Sequence, residues 1–257
     1  VIQLNCYEAV NTTIEIGYQL LKSGAEIYRI EESMRRIFEA YGITQNEVFA
    51  IPSCIIVTIR MDGAEPVSQI KRVYSTTTNL EKVRRLNDLC RCICKDTPDF
   101  TQVQQQLDEI KSIPAYSYGV QIIAFALIAA AFTLFYGGNF ADSVCAAFGG
   151  AAIKIVSYHM KRFHTNLFFT IIISSMTATV LALIAVHLRL GTNSDKIIIG
   201  TLMNLVQGVA VTNFMRDIIA GDLISGIIKL TEALLSATAI ALGAGIALTV
   251  SRLIFGV

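Results

Sequence analysis

No aspartate, glutamate, lysine or arginine occurs between Lys111 and Asp142. A helix of about 20 predominantly apolar residues is long enough to cross a bilayer. Three further charge-free runs follow, from Arg162 to Arg189, from Lys196 to Arg216 and from Glu232 to Arg252. A chain with four such runs in its second half is constrained to bury them in lipid. The first 113 residues differ: they hold 13 basic and 15 acidic residues, against 8 and 5 in the last 144. The first share is about that of ordinary soluble domains and the second far below it. This split excludes a single soluble domain and a disordered chain. The net charge of +1 excludes a strongly basic nucleic-acid binder.

The fold class expected is a multi-domain membrane protein. A small cytosolic α+β domain, residues 1–113, precedes an all-α polytopic membrane domain of about five transmembrane helices, residues 114–257. The expected spans are 118–136, 140–158, 164–187, 197–215 and 232–252. Asp142 and Lys154 fall towards opposite ends of the second span, where both can snorkel to the interface. Residues 218–231 are apolar but carry Asp222 and Lys229; they either extend the fifth helix or form a broken, re-entrant piece.

Periodicity orders the amino-terminal part as α-α-β-β-β-α-α. Leu4, Tyr7, Val10, Ile14, Tyr18 and Leu21 share one helical face, and Ile27, Ile30, Met34, Ile37 and Tyr41 another. Ser23-Gly24 and Gly42 end these helices. Residues 46–51, 53–60 and 66–74 read as strands, with Pro52 in the first turn and Asp62-Gly63 as a hairpin signal. Residues 79–94 and 99–111 read as helices with Asn79 and Asp99 as N-caps. An antiparallel sheet follows from this order.

The first residues lack the basic segment of a secretory signal. Lysine and arginine placement then puts the amino-terminal domain in the cytoplasm. The loop with Lys161 and Arg162 and the one with Arg216 lie inside. Tyr136–Asn139 and the carboxy terminus lie outside, as does the loop with Arg189 and Lys196, against the charge rule. Five of the six cysteines lie in the amino-terminal part and read as free thiols of a reducing compartment. Cys90, Cys92 and Cys94 alternate, so on a helix they point about 200° apart and make a poor chelator; no metal site and no cofactor are expected. There is no phosphate-binding glycine loop, no nucleophile elbow and no histidine in the first 113 residues. The chain therefore does not read as an enzyme.

Polar residues in the apolar half are the candidate site. Charge in a bilayer centre costs at least about 2.5–3.5 kcal/mol, so such groups usually face protein or water. Asn204, Gln207, Gly208, Thr212, Asn213, Arg216 and Asp217 form a stripe, followed by Gly221-Asp222, Lys229 and Glu232. Arg216, Asp217 and Asp222 read equally as pathway groups and as membrane-surface groups. Asn204 and Gln207 sit deeper and read as pathway. Lys229 and Glu232, three apart, are placed to pair with each other. In the amino-terminal part Glu26, Arg29 and Ser33 share a helical face, beside Glu32, as a partner-docking surface or a solvated ion-paired one. Ala239, Gly243 and Ala247 recur every four residues as a close-packing face, and Gly149-Gly150 offers another.

Three segments together carry a family resemblance: Gly24-Ala-Glu-Ile-Tyr-Arg-Ile-Glu-Glu-Ser-Met-Arg-Arg-Ile, Thr212-Asn213-Phe-Met-Arg216-Asp217, and Ala220-Gly221-Asp222-Leu-Ile-Ser-Gly. With the order of a soluble domain before the spans, the chain resembles the threonine/serine exporter family, amino-terminal-domain type. It looks most like the larger subunit of the split, two-chain form, which includes a bacterial succinate exporter. The resemblance implies a secondary transporter of the bacterial inner membrane. It implies export of small polar metabolites, an amino acid or a dicarboxylate, with a second small polytopic membrane subunit and an oligomeric assembly. The family's Asn-x-x-Arg-Asp pattern falls on Asn213, Arg216 and Asp217, and its Gly-Asp on Gly221 and Asp222. Where family members carry Pro-Gly this chain has Gln207-Gly208, and the absence of proline weighs against a helix break there. The expected mechanism is alternating access driven by an ion or substrate gradient. Arg216 would attract a carboxylate; Asp217 or Asp222 would take an amino group or a proton; Asn204, Gln207 and Asn213 would supply neutral hydrogen bonds. The rival readings are a membrane-anchored enzyme and a sensor.

Overall fold

The computed structural model describes residues 2–61, 65–114, 116–163 and 165–255, without the side chains of residues 2–6, 254 and 255. The Asp62-Gly63 hairpin signal, His164 at the start of the third expected span, and the side chains of Leu4 and Cys6 lie outside the described residues. The chain forms two compact units. One comprises Val1–Pro114 with Val211–Leu230, the other Ala115–Ala210 with Thr231–Val257.

In the first unit α1 (Ile2–Lys22) and α2 (Ile27–Ala40) are joined through Gly24, whose φ of 88° is the left-handed conformation that glycine adopts without strain. Strands β1 (Gln45–Ile51), β2 (Cys54–Arg60) and β3 (Val67–Arg72) form an antiparallel sheet in the order β1-β2-β3. Val48 pairs with Val57, and Ile56 with both Phe49 and Ile70. Val48, Ala50, Ile55, Val57 and Ile59 point inward and join Ile14, Ile27, Ile30, Met34, Ile37 and Phe38 in one core. Helices α3 (Leu80–Asp96) and α4 (Phe100–Ser112) close it with Leu86, Ile93, Val103 and Leu107. Asn79 caps α3 through its side chain, which accepts from the Lys82 amide at 3.0 Å. Asp99 precedes α4 without a side-chain capping bond. Tyr7, placed on the α1 stripe by its spacing, is 62% exposed. Helix α1 is central, with Ala9, Thr12, Thr13 and Ile16 buried as well, so one stripe understates what it covers.

The second unit is helical. Four helices in the chain are long and apolar enough, among the described residues, to cross a membrane: α5 (Tyr118–Phe135), α6 (Phe140–Arg162), α7 (Leu167–His187) and α10 (Leu223–Phe255). Close approach rests on small residues. A Cβ on Gly150 would strike Phe125 and Ala129 of α5, and one on Gly243 would strike Ser175 and Ile172 of α7. Ala239 and Ala247 are buried on the same face of α10 as Gly243. Aromatic rings mark both ends of the α5–α6 hairpin: Tyr118 lies 4.5 Å from Tyr158 at one end, and Phe132, Phe135 and Tyr136 cluster at the other. Aromatic rings at both helix ends suit the two membrane–water interfaces.

The expected fourth span, 197–215, is not one helix. Helix α8 (Ser194–Leu202) stops, and α9 (Gly208–Ala220) begins after an irregular link. At 1.5 Å per residue neither reaches the roughly 30 Å of a hydrocarbon core. The ladder tightens first: the Asn204 and Leu205 amides donate to the carbonyls three residues earlier. The Asn204 side chain then donates to the carbonyls of Thr201 and of Phe125 on α5, at 3.3 and 3.2 Å. The break forms without a proline, and the Asn204 side chain ties it to α5. The segment 218–231 is broken at residues 221 and 222: residues 218–220 end α9 and residues 223–231 belong to α10.

Asp142 does not snorkel. It is buried at the start of α6, where it completes a capping box with Asn139. Its oxygens also accept from the amides of Thr192 and Asn193 at 2.7 and 3.2 Å and from the Asn193 side chain at 2.9 Å. Lys154 is held over the Phe125 ring, 5.0 Å from its centroid.

Candidate functional site

The candidate site is built on the turn between α9 and α10, inside the first unit. Helix α9 ends in a Schellman turn: the Gly221 amide donates to Ile218 and the Asp222 amide to Asp217. Gly221 has φ 98°, which explains a glycine there. Asp222 then opens α10, its carbonyl accepting from the Gly226 amide at 3.0 Å. Gly226 has no side chain to keep α10 off Ile218 and the Phe214 carbonyl. The sequence Ala220-Gly221-Asp222-Leu-Ile-Ser-Gly226 is thus the covalent pattern of a tight helical reversal.

This reversal brings charges together. Asp217 is fully buried, and its Oδ2 accepts from Lys229 Nζ at 2.7 Å. Lys229 is committed there, which corrects the expected pairing with Glu232. The turn folds Lys229 back onto α9, while Glu232 is exposed on α10 and belongs to the second unit. Asp217 Oδ1 and Asp222 Oδ2 are buried and have no hydrogen-bond partner among the described residues. Burial pushes the Asp222 carboxyl above its ordinary range, the Asp217 charge adds to this, and Lys229 and Arg35 oppose it. Asn213 lies half-buried one turn before Asp217.

Arg216 pairs with Glu26, which also pairs with Arg29 at 2.5 Å. Glu26 and Arg29 are therefore drawn into the charge cluster, whereas Glu32 is exposed and pairs locally with Arg36. Two participants were not singled out from the sequence. Glu31 Oε1 accepts from the Ala50 amide at 2.7 Å, and Arg35 donates to the Val48 carbonyl at 3.3 Å. Both cover the outer edge of β1. Burial raises the Glu31 carboxyl, the Ala50 amide opposes this, and the Asp222 charge raises it further. The signal was position: Glu31 lies four residues after Ile27 and three before Met34, on the apolar stripe of α2.

The remaining residues lie in the second unit. Asn204 holds the α8 break, and Gln207 Nε2 donates to Ser236 Oγ of α10 at 3.1 Å. Gly208 is the first residue of α9. Among the described residues no group of three or more His, Cys, Asp and Glu is arranged to hold a metal. Cys90 is buried, Cys92 half-buried and Cys94 exposed.

The family model described as "Putative threonine/serine exporter" (ThrE) matches residues 11–251. A "Probable threonine/serine exporter" of Mycobacterium tuberculosis is 22% identical over 93% of this chain and 46% of its own length. The chain thus spans about half of that relative. A "Probable succinate transporter subunit YjjP" of Escherichia coli is 20% identical over 92% of both chains. No solved structure matches. The match over nearly the whole chain places it in the ThrE family of threonine/serine exporters.

Proposed function

We propose that this chain is a subunit of a secondary transporter that exports a small polar metabolite across a bacterial inner membrane. Residues 1–113 lie on the cytoplasmic side, and a second small polytopic subunit completes the pathway. The observation that carries the reading is the α9–α10 reversal, where Arg216, Asp217, Asp222 and Lys229 gather in a stretch otherwise almost free of charge. The two cations already face carboxylates, Arg216 facing Glu26 and Lys229 facing Asp217. Asp222 keeps a buried oxygen without a partner. An ammonium group fits that oxygen, and Arg216 offers a carboxylate the planar donors of a guanidinium. A zwitterionic amino acid of the threonine/serine type matches this balance. Asn213 supplies neutral hydrogen bonds beside it, and Asn204, Gln207 and Gly208 line the route at the α8–α9 break. Glu232 adds a further carboxylate to the pathway, while Glu26, Arg29 and Glu32 form the cytoplasmic face through which substrate arrives.

A dicarboxylate is the second reading, favoured by the Escherichia coli relative named as a succinate transporter subunit, which this chain matches over 92% of both lengths. Everted vesicles carrying this chain and the proposed second small membrane subunit separate the two. Uptake of labelled threonine or serine, lost in Arg216→Ala and Asp222→Ala, is the expected result. Uptake of succinate alone selects the second reading. Transport unchanged in both variants overturns the site.

A further inference from the structure

The outward face of the sheet carries a row of exposed apolar side chains. Phe49, Ile56 and Ile70 lie side by side across β1, β2 and β3, and are 49%, 37% and 67% exposed. The solvent face of a one-sided antiparallel sheet is ordinarily polar, because its residues alternate with those of the core. Here the polar residues flank the row. Glu47, Thr58 and Ser68 form the row on one side, with Thr58 and Ser68 hydrogen-bonded at 2.8 Å. Ile51, Cys54 and Arg72 form the row on the other. Arg60 stands further out, at the end of β2.

Glu47 and Arg72 therefore occupy diagonally opposite corners around Ile56. Both are exposed, and neither has an ion-pair partner among the described residues. A two-fold axis lying in the face, through Ile56 and perpendicular to the line from Glu47 to Arg72, exchanges these corners. It sets Glu47 of one copy over Arg72 of the next, twice, with Ile56 over Ile56 at the centre. The strands of the two sheets then cross at a steep angle, one of the two common ways in which sheets stack about 10 Å apart. At that spacing a glutamate and an arginine side chain meet.

We propose that this face binds the same face of a second copy of the chain. The face is three strands wide and seven residues long, roughly 300 Å² by strand spacing and rise. A free-standing dimer needs about 800 Å² from each partner. The contact is therefore weak in dilute solution and forms between chains held in one membrane, where confinement raises their effective concentration. The inference is independent of the substrate assigned above.

The test uses two differently tagged full-length copies expressed together and chemically cross-linked in the intact membrane before solubilisation, with capture of one tag and measurement of the other. Ile70→Lys places a charge in the apolar row and is expected to lower the co-captured copy about tenfold, equivalent to about 1.4 kcal/mol. Glu47→Arg and Arg72→Glu, each present in both copies, set like charges together and also lower it. The double exchange Glu47→Arg with Arg72→Glu restores capture to within about twofold of the parent. Monodispersity of each variant on gel filtration shows that it is folded, since all three positions are exposed. Copies that do not co-purify at all, or that co-purify equally in every variant, overturn the proposal. So does loss in the single variants without recovery in the exchange, which assigns the face to a different partner.

Discussion

Lys229 reaches back across the α9–α10 turn to Asp217, 2.7 Å away, and shields a carboxylate that has no exposure to solvent. Removing one half of such a pair leaves a buried charge without its counter-ion, which costs about 3–5 kcal/mol. Lys229→Met should therefore lower the melting temperature of the purified protein sharply. The double variant Asp217→Asn with Lys229→Met should recover most of the loss, because no net charge remains buried. A double variant as unstable as the single one would show that the pair serves more than mutual neutralisation.

Two glutamates of the first unit should titrate with opposite sign. Burial, the largest cause, raises Glu31; the Ala50 amide and Arg35 oppose it and the Asp222 charge adds to it, so it ends above its ordinary 4.5. A raised acid favours the folded state below pH 4.5, and that contribution fades as pH rises through the folded value. Glu31→Gln, which keeps an oxygen for the Ala50 amide, should therefore gain on the parent between pH 4.5 and neutrality. Burial also pushes Glu15 upward, but hydrogen bonds from Gln19, Lys71 and Lys111 win and hold it below 4.5. Its contribution is complete above pH 4.5 and is lost as pH falls through the lower value. Glu15→Gln should be less stable than the parent at neutral pH, with the gap closing in acid. Melting temperatures across pH 4 to 8 check both signs, and parallel curves for the two variants would contradict the assignment.

Much of this was legible because hydrophobic period and glycine position are local properties. The α2 stripe from Ile27 to Ile37, the cap at Asn79 and the small-residue face at Ala239, Gly243 and Ala247 all follow from spacing. The break at Asn204 was not legible, because no proline marks it and the Asn204 side chain bonds a carbonyl of Phe125, 79 residues away. The same holds for Lys229, which had a local partner by spacing in Glu232 and a closer one through the Gly221 turn. Glu31 was hidden by its setting in a charged segment, where burial against β1 separates it from its solvated neighbours.

The close approach of α10 to α7 gives a sharp contrast between two glycines two residues apart. A Cβ at Gly243 would run into Ser175 and the Ile172 carbonyl, which is backbone and cannot rotate away. A Cβ at Gly245 meets nothing within 4 Å. Gly243→Ala should destabilise by about 1–3 kcal/mol, the usual cost of overpacking. Gly245→Ala should be neutral or slightly stabilising, since alanine loses less conformational freedom than glycine on entering a helix. Thermal unfolding in detergent reads both, and equal effects would mean that the two helices separate readily.

Asp142 is a buried carboxylate without a counter-ion among the described residues, and backbone and side-chain donors replace one. Its oxygens take the amides of Asn139, Thr192 and Asn193 and the Asn193 side chain, tying the start of α6 to the link before α8. Each buried donor left unmatched costs about 1–3 kcal/mol. Asp142→Ala orphans several at once, so a large loss of stability follows. Asp142→Asn keeps the shape but turns an NH₂ group towards N–H donors, so it should recover only part of that loss. Asp142→Glu should fare no better, because the longer side chain displaces the carboxylate from the first turn of α6, where the Asn139 capping box fixes it. Folded yield and melting temperature of the three variants test this. An Asp142→Asn protein as stable as the parent would show that the donors find other acceptors when the charge is removed.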